Sequence, residues 1–468
     1  MKLLFGYDVM TYNGEIPNCL NPKFLNTIYQ ASDFDFSMSG EHYQKRWNND
    51  WHLYNSNFWN NYVDKTSIHS IIHYEKNRKW FYLIEPFGSI ESFFGNHNFY
   101  NELALKNISK VALNEIKNGN GNLLINYIID GGLGITKPNF QKLIDFTRNN
   151  NIPDKKVYLI FQDFRLKRNL EKLGVGYNVF NFNLAHLDKS KEFNNTINNP
   201  NYKYWGEKSF EPQVGKTENI INSISSYDEF ENSIGSDKVD FLFLCRHWKL
   251  HRLLMLSKLQ KLGLLFKDNI SWDNKFYNQS VVDEFLKHDS NYELANIIKT
   301  TSRHLDISDL TKIAGYGFEN KEIYLNSYIS LVSESIFFQI REEEDVYVEF
   351  PSGYLSEKIW KPIGHSQPFI LAGPAHSLKY IQSMGYKTFH PYIDESYDNE
   401  TDDFKRLELI LLEMEKFNNK TKEEKDQFLN DVKDICKHNQ LAFLEYSKEK
   451  YKKDCSDIVD GLQTKLLI

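Results

Sequence analysis

Two short stretches concentrate the residue types that recognise a phosphorylated ligand. The first is Ser356-Glu357-Lys358, which follows Gly353-Tyr354-Leu355 and precedes Ile359-Trp360-Lys361-Pro362-Ile363. Ser356 reads as the N-cap of a short helix, so an acid and a base stand in its first turn. Cations and backbone N–H groups at a helix start suit a diphosphate. A carboxylate that accepts two hydrogen bonds suits a ribose diol. Glu357 is therefore the candidate for ribose and Lys358 for phosphate. The triplet alone reads more readily as a capped surface helix with an ordinary acid and base.

The second stretch is Cys245-Arg246-His247-Trp248-Lys249-Leu250-His251-Arg252. It leaves an apolar run and enters a helical pattern, which in an open α/β sheet is where ligands bind. Arg246 and Arg252 are the stronger candidates because guanidinium is always charged and pairs bidentately with phosphate. A basic helix start is electrostatically unfavourable without an anion. A transfer to a hydroxyl would also need a carboxylate base. Asp8, Asp130 and Asp163 each follow a predicted strand. Asp130, in Asp130-Gly131-Gly132, is preferred because the glycines allow close approach of a substrate. A turn aspartate gives the same pattern. The chain lacks G-x-S-x-G, Walker A, H-E-x-x-H and G-x-G-x-x-G signatures.

The elements that would position these residues alternate. Strands are predicted at 2–6, 122–130, 156–161 and 177–182. Between them run helical patterns at 99–117, 137–149 and 166–173. A Trp-, Tyr-, Asn- and His-rich segment through about Asp64 has poor periodicity and reads as mixed loops and helix. Residues 194–236 are polar and read as a linker. The pattern then restarts, with strands at 239–245, 328–332, 369–371 and 387–389. Helices are predicted at 249–262, 281–287, 292–299, 355–363, 377–384, 404–417, 422–437 and 440–452. Strand–helix alternation implies βαβ units and a parallel sheet in each half. The expected division is an N-terminal acceptor-side domain over 1–236, a nucleotide-sugar-binding domain over 237–437, and a helical extension over 438–468.

A chain of 468 residues exceeds one ordinary core. Its 25% charged residues give a globular composition, and the net charge of −7 argues against a polyanion binder as a whole. The four cysteines, Cys19, Cys245, Cys436 and Cys455, show no C-x-x-C, so neither a zinc site nor a disulfide framework is expected. No cofactor is called for. The absence of a signal-peptide pattern and of a long apolar run predicts a cytoplasmic protein without a membrane span.

Taken together, several motifs resemble the α1,3-fucosyltransferase family, glycosyltransferase family 10. They are the basic turn ending in Arg252, Ser333-Glu334-Ser335 after a strand, Gly353-Tyr354-Leu355-Ser356-Glu357-Lys358-Ile359-Trp360, and Pro368-Phe369-Ile370-Leu371-Ala372-Gly373-Pro374. The likeness covers about residues 239–390 and extends to phage and viral relatives of such enzymes. It implies an α/β fold of two Rossmann-like domains facing a cleft (the GT-B type). It further implies a nucleoside-diphosphate sugar donor, a glycan or other hydroxyl acceptor, and inverting transfer with no obligatory metal. By the same resemblance Glu357 binds ribose, Lys358 and Arg252 bind the diphosphate, and Tyr354 lines the donor site. Glu334 stands where the family has Asn, and Arg341-Glu342-Glu343-Glu344-Asp345 lengthens the gap before Ser356. A phage-type transfer to hydroxymethylated DNA bases is the alternative acceptor reading, and salt-sensitive duplex binding would mark it. A non-catalytic carbohydrate- or partner-binding protein on a transferase fold is the reading from a different class.

Overall fold

Unbroken apolar runs, rather than alternating ones, make the central strands, and that is the signature of a sheet covered on both faces. The computed structural model describes residues 2–7, 62–84, 105, 108–127, 137–183, 186–187, 190, 193–194, 225–245, 247–303, 305, 321–338 and 353–467. The chain forms two units. The first comprises Met1–Leu184, Glu342–Tyr354 and Lys450–Ile468; the second comprises Ala185–Arg341 and Leu355–Glu449.

In the first unit the strands are β1 (Leu3–Tyr7), β2 (Val63–Ser67), β3 (Trp80–Ile84), β4 (Gly121–Tyr127), β5 (Val157–Phe161) and β6 (Asn178–Asn181). They form one parallel sheet in the order β2-β1-β3-β4-β5-β6. β3 and β5 are buried along their whole length. The accompanying helices are α1 (Ile68–Tyr74), α2 (Lys110–Asn118), α3 (Lys137–Asn149) and α4 (Leu166–Lys172). Ser109 caps α2 by accepting the Ala112 N–H at 3.0 Å.

The second unit opens with α5 (Tyr227–Asn232), β7 (Val239–Leu244), α6 (Leu250–Lys261) and β8 (Asn269–Ser271). It continues with α7 (Gln279–His288), α8 (Tyr292–Thr300), α9 (Lys321–Leu325), β9 (Ser327–Ser333), α10 (Glu357–Gly364) and β10 (Phe369–Ala372). α11 (Ser377–Ser383), α12 (Asp403–Asn418) and α13 (Lys422–Glu445) complete it. Its parallel sheet has the order β10-β9-β7-β8. The last helix, α14 (Tyr451–Leu467), belongs to the first unit. There Gly461 lies against the Phe180 ring of β6, where an added Cβ would stand 2.5 Å from the ring. These are two Rossmann-like α/β units, a two-domain architecture of the GT-B type. No helix among the described residues is long and apolar enough to cross a membrane.

The structure corrects several sequence expectations. The strand expected at 387–389 does not form, because the Asn439 side chain pairs with both the Lys387 N–H and its carbonyl, each at 2.8 Å. The helices expected at 422–437 and 440–452 are instead the 24-residue α13, followed by a π-helical turn at Tyr446–Lys450. Part of the expected linker is helix α5, capped by Ser226 in a capping box with Glu229. β2, β3 and β8 add strands that the periodicity reading lacked. Segments 342–354 and 450–468 both belong to the first unit, together with the chain through 184. The readings placed on 8–61, Asp8, Asp130, Arg246 and 341–345 lie outside the described residues.

One buried acid supports a prediction about the fold. Asp268 accepts the Phe241 N–H at 2.9 Å, and burial pushes its carboxyl up to about 7, with Asp240 adding to the effect. The folded chain therefore keeps a proton that the unfolded chain releases near pH ~4. The stability from that proton is full below the unfolded value and is lost as pH rises through the folded one. Asp268→Asn keeps an oxygen for Phe241 and removes the titration. The variant should gain on the wild type from about pH 4 to pH 7 and hold its lead above, on the order of a few kcal/mol. Urea unfolding at the two ends checks this. An unchanged difference between about pH 5 and pH 8 would reject it.

Candidate functional site

The order β10-β9-β7-β8 places β7 and β9 side by side, although β8 lies between them in sequence. The connection from β7 leads to one side and that from β9 to the other. In open α/β sheets ligands bind in the crevice outside the carboxyl ends of such strands. Both stretches singled out from the sequence converge there, together with the residues that follow β9.

Ser333 ends β9, and Glu334-Ser335 continues from it. Ser356 caps α10 as expected, accepting the Lys358 N–H. The same Ser356 ties α10 to the end of β9, because its N–H (3.0 Å) and Oγ–H (2.5 Å) both donate to Glu334 Oε2. Lys358 Nζ then donates to Ser356 Oγ at 3.0 Å, to Ser335 Oγ at 3.2 Å and to Glu357 Oε1 at 2.8 Å. Glu334, Ser356 and Lys358 thus form a chain of hydrogen bonds with one direction.

The two acids of this cluster differ in charge state. Burial pushes the Glu357 carboxyl up, but the ammonium groups of Lys358 and Lys361 outweigh it and hold the carboxyl at about 2. Glu357 is an ionised acceptor whose side chain keeps 15% exposure. Glu334 is completely buried, and burial pushes its carboxyl above the usual range, against Lys358 and the Ser356 bonds. Its Oε1 has no hydrogen-bond partner among the described residues.

Arg252 reaches the same strand end from α6, but not in the manner expected of a phosphate clamp. It is buried, and its guanidinium donates to Ser333 Oγ (3.0 Å) and to the carbonyls of His247 (2.9 Å), Ser333 (3.1 Å) and Glu334 (3.3 Å). Most of its five donors are committed to the protein. It fixes positive charge behind the site and joins the turn after β7 to the end of β9. His251, in the same stretch, is neutral: burial holds its imidazole well below the usual range, and Arg252 and Lys249 act in the same direction. Its Nε2 faces the Glu334 carbonyl at 3.2 Å, and its ring stacks on Phe337. Lys249 Nζ donates to the Ser335 carbonyl. Burial raises the Cys245 thiol to about 11, so it is no thiolate.

Tyr354 is buried and closes the segment 342–354, which belongs to the first unit. The neighbouring Gly353 donates its N–H to Asp163 Oδ1 at 2.8 Å and accepts from the Phe164 N–H at 2.9 Å. A Cβ on Gly353 would stand 2.8 Å from both Phe164 and Arg165, so the close approach needs glycine. Asp163 Oδ1 also accepts the Arg165 N–H at 2.9 Å. Asp163, one of the three aspartates considered as a base, is a turn residue here.

The site therefore joins Arg252, Glu334, Glu357 and Lys358 and leaves Tyr354 with the other unit's segment. Sequence reasoning named Ser335 only within a motif, gave it no role, and missed the Glu334–Ser356 link. Its only signal was a Ser-Glu-Ser triplet at a strand end. No family model, no curated protein and no solved structure matches this chain.

Proposed function

We propose that the chain is a glycosyltransferase that moves a sugar from a nucleoside-diphosphate sugar to a hydroxyl acceptor with inversion. The observation that carries this reading is the convergence of a fixed guanidinium, an ammonium and an ionised carboxylate outside β7 and β9, where the strand order reverses. Lys358 takes the diphosphate, and Arg252 supplies fixed positive charge behind it. Glu357 accepts the ribose hydroxyls, Tyr354 lines the donor site, and Arg246 adds a second guanidinium. The acceptor oxygen attacks the anomeric carbon as its bond to the phosphate oxygen breaks. The acceptor proton passes to a carboxylate, for which Asp130 is the choice, and the diphosphate leaves with the electron pair. The likeness of residues 353–360 and 368–374 to glycosyltransferase family 10 supports the ribose and diphosphate roles.

A thermal-shift screen against UDP, GDP, ADP, CMP and their sugars tests the donor site. A ligand that binds only the folded state adds about 2.7 kcal/mol at 100 times its Kd. At least one of these compounds should raise the melting temperature. A flat response to the whole panel overturns the reading.

A further inference from the structure

An aromatic pair stands in the open at the same sheet edge. Phe276 ends a 3-10 turn (Asn274–Phe276) just past the carboxyl end of β8, and it is 38% exposed. His247, also exposed, follows the neighbouring strand β7. The two ring centroids lie 4.2 Å apart, with the planes inclined at 51°. A single exposed phenylalanine is ordinary on a protein surface. Here two exposed rings meet beyond adjacent strand ends, and both backbones are fixed.

The Asp273 side chain accepts the Lys275 N–H at 3.0 Å. Ser302 Oγ accepts the Asn274 N–H at 2.9 Å and donates to Asn274 Oδ1 at 2.8 Å. On the other side Arg252 Nη1 donates to the His247 carbonyl at 2.9 Å. A platform ordered in advance loses little freedom when a flat ligand settles on it.

The pair is also tied to the cations of the site. Nη2 of the same guanidinium donates to the Ser333 and Glu334 carbonyls, so one Arg252 side chain links His247 to the end of β9. Lys249, two positions after His247, donates to the Ser335 carbonyl, and Lys358 donates to the Ser335 hydroxyl. The rings therefore flank the groups assigned to the diphosphate, on the β8 side of the sheet. A nucleoside diphosphate carries its base a ribose away from its phosphates. Its base needs an apolar face beside the cations rather than among them. Every base has a π face and stacks on aromatic side chains.

We propose that the exposed Phe276–His247 pair is the platform for the nucleobase of the donor, with Phe276 supplying the face on which the base stacks. This inference rests on the nucleoside-diphosphate reading above and deepens it by giving the base its own residues. Stacking meets the flat face of the base, so it adds affinity for purines and pyrimidines alike.

Calorimetric titration of the full chain with UDP, GDP, ADP and CMP, and with inorganic pyrophosphate as a probe without a base, tests it. Phe276→Ala should weaken the nucleotides that bind by about tenfold and pyrophosphate by less than about twofold. Phe276→Trp should bind those nucleotides at least as tightly as the wild type. Phe276→Leu keeps an apolar side chain on the turn but no π face, and should bind them about fivefold more weakly. Unchanged nucleotide affinity in Phe276→Ala overturns the inference while the nucleotide site stands. So does an equal loss for pyrophosphate, or a Phe276→Leu variant that binds as tightly as Phe276→Trp. Where pyrophosphate binds too weakly to measure, the order of those last two variants decides. If none of the four nucleotides binds the wild type, the donor reading and this inference fall together.

Discussion

Lys358→Ala should weaken nucleoside-diphosphate binding by about tenfold to a hundredfold and cost the fold less than that, on the order of 1–2 kcal/mol. The ammonium makes charge-assisted hydrogen bonds, each worth about 1.5–3 kcal/mol to a charged partner, so losing its share of a diphosphate costs that range in affinity. The substitution acts a second way. Lys358 is the main group opposing burial at Glu357, so its loss lets the Glu357 carboxyl rise. With Lys361 still present, Glu357 stays negative near neutrality and faces the ligand with less compensation. The cost to folding comes from Glu357, whose depressed carboxyl stabilises the fold near neutrality and is kept so by Lys358, and it is moderated because the Lys358 side chain is 28% exposed and partly screened by solvent. Calorimetric titration paired with urea unfolding separates the two. Unaltered nucleotide affinity in a well-folded variant removes Lys358 from the donor site.

Arg252→Ala carries the largest expected effect on folding. The guanidinium is buried and holds the carbonyls of His247, Ser333 and Glu334 together with Ser333 Oγ. Truncation leaves buried acceptors without donors, at about 1–3 kcal/mol each before relaxation. A total loss of about 3–5 kcal/mol is expected. Arg252→Lys should recover less than about half of it, because one ammonium cannot reach acceptors that a planar fork spans. Denaturant unfolding of both variants measures this. A loss below about 1 kcal/mol in the alanine variant would show that these bonds are replaced by water. The same geometry governs how an activity assay is read. Loss of transfer in Arg252→Ala follows from a disordered strand end as readily as from a missing phosphate contact. Lys358 and Glu357, being partly exposed, report on the ligand more directly.

Much of the fold was legible because parallel strands in a covered sheet are plain apolar runs. Val157–Phe161, Val239–Leu244 and Ser327–Ser333 fall within a residue or two of where the sequence puts them. α3 falls at Lys137–Asn149 as read, and α12 at Asp403–Asn418 lies one residue beyond its reading at each end. β3 was legible too, as Trp80-Phe81-Tyr82-Leu83-Ile84, but it sits between stretches of poor periodicity and was not read. The strand expected at 387–389 failed for a tertiary reason, since a side chain 52 residues away satisfies the Lys387 backbone. Composition near 440 gives no sign that α13 continues, because Asn439 and Gln440 are buried polar residues. The Gln440 amide bonds the carbonyls of Ser225 and Gly364, both distant in sequence.

For the site, the sequence by itself determined which groups are present. It supplied an N-capping serine, an acid and a base in the first turn of α10, a basic turn after one apolar strand, and a Ser-Glu-Ser triplet after another. Only the tertiary structure decided what those groups do to each other. The strand order brings the ends of β7 and β9 together, which no local pattern specifies, because parallel neighbours are set by crossovers of many residues. That adjacency commits Arg252 to carbonyls, gives Glu357 the ammonium that keeps it ionised, and buries Glu334 against Ser356. Charge state follows from burial and neighbours rather than from residue type. Two glutamates 23 positions apart therefore end with opposite shifts, one held at about 2 and the other raised.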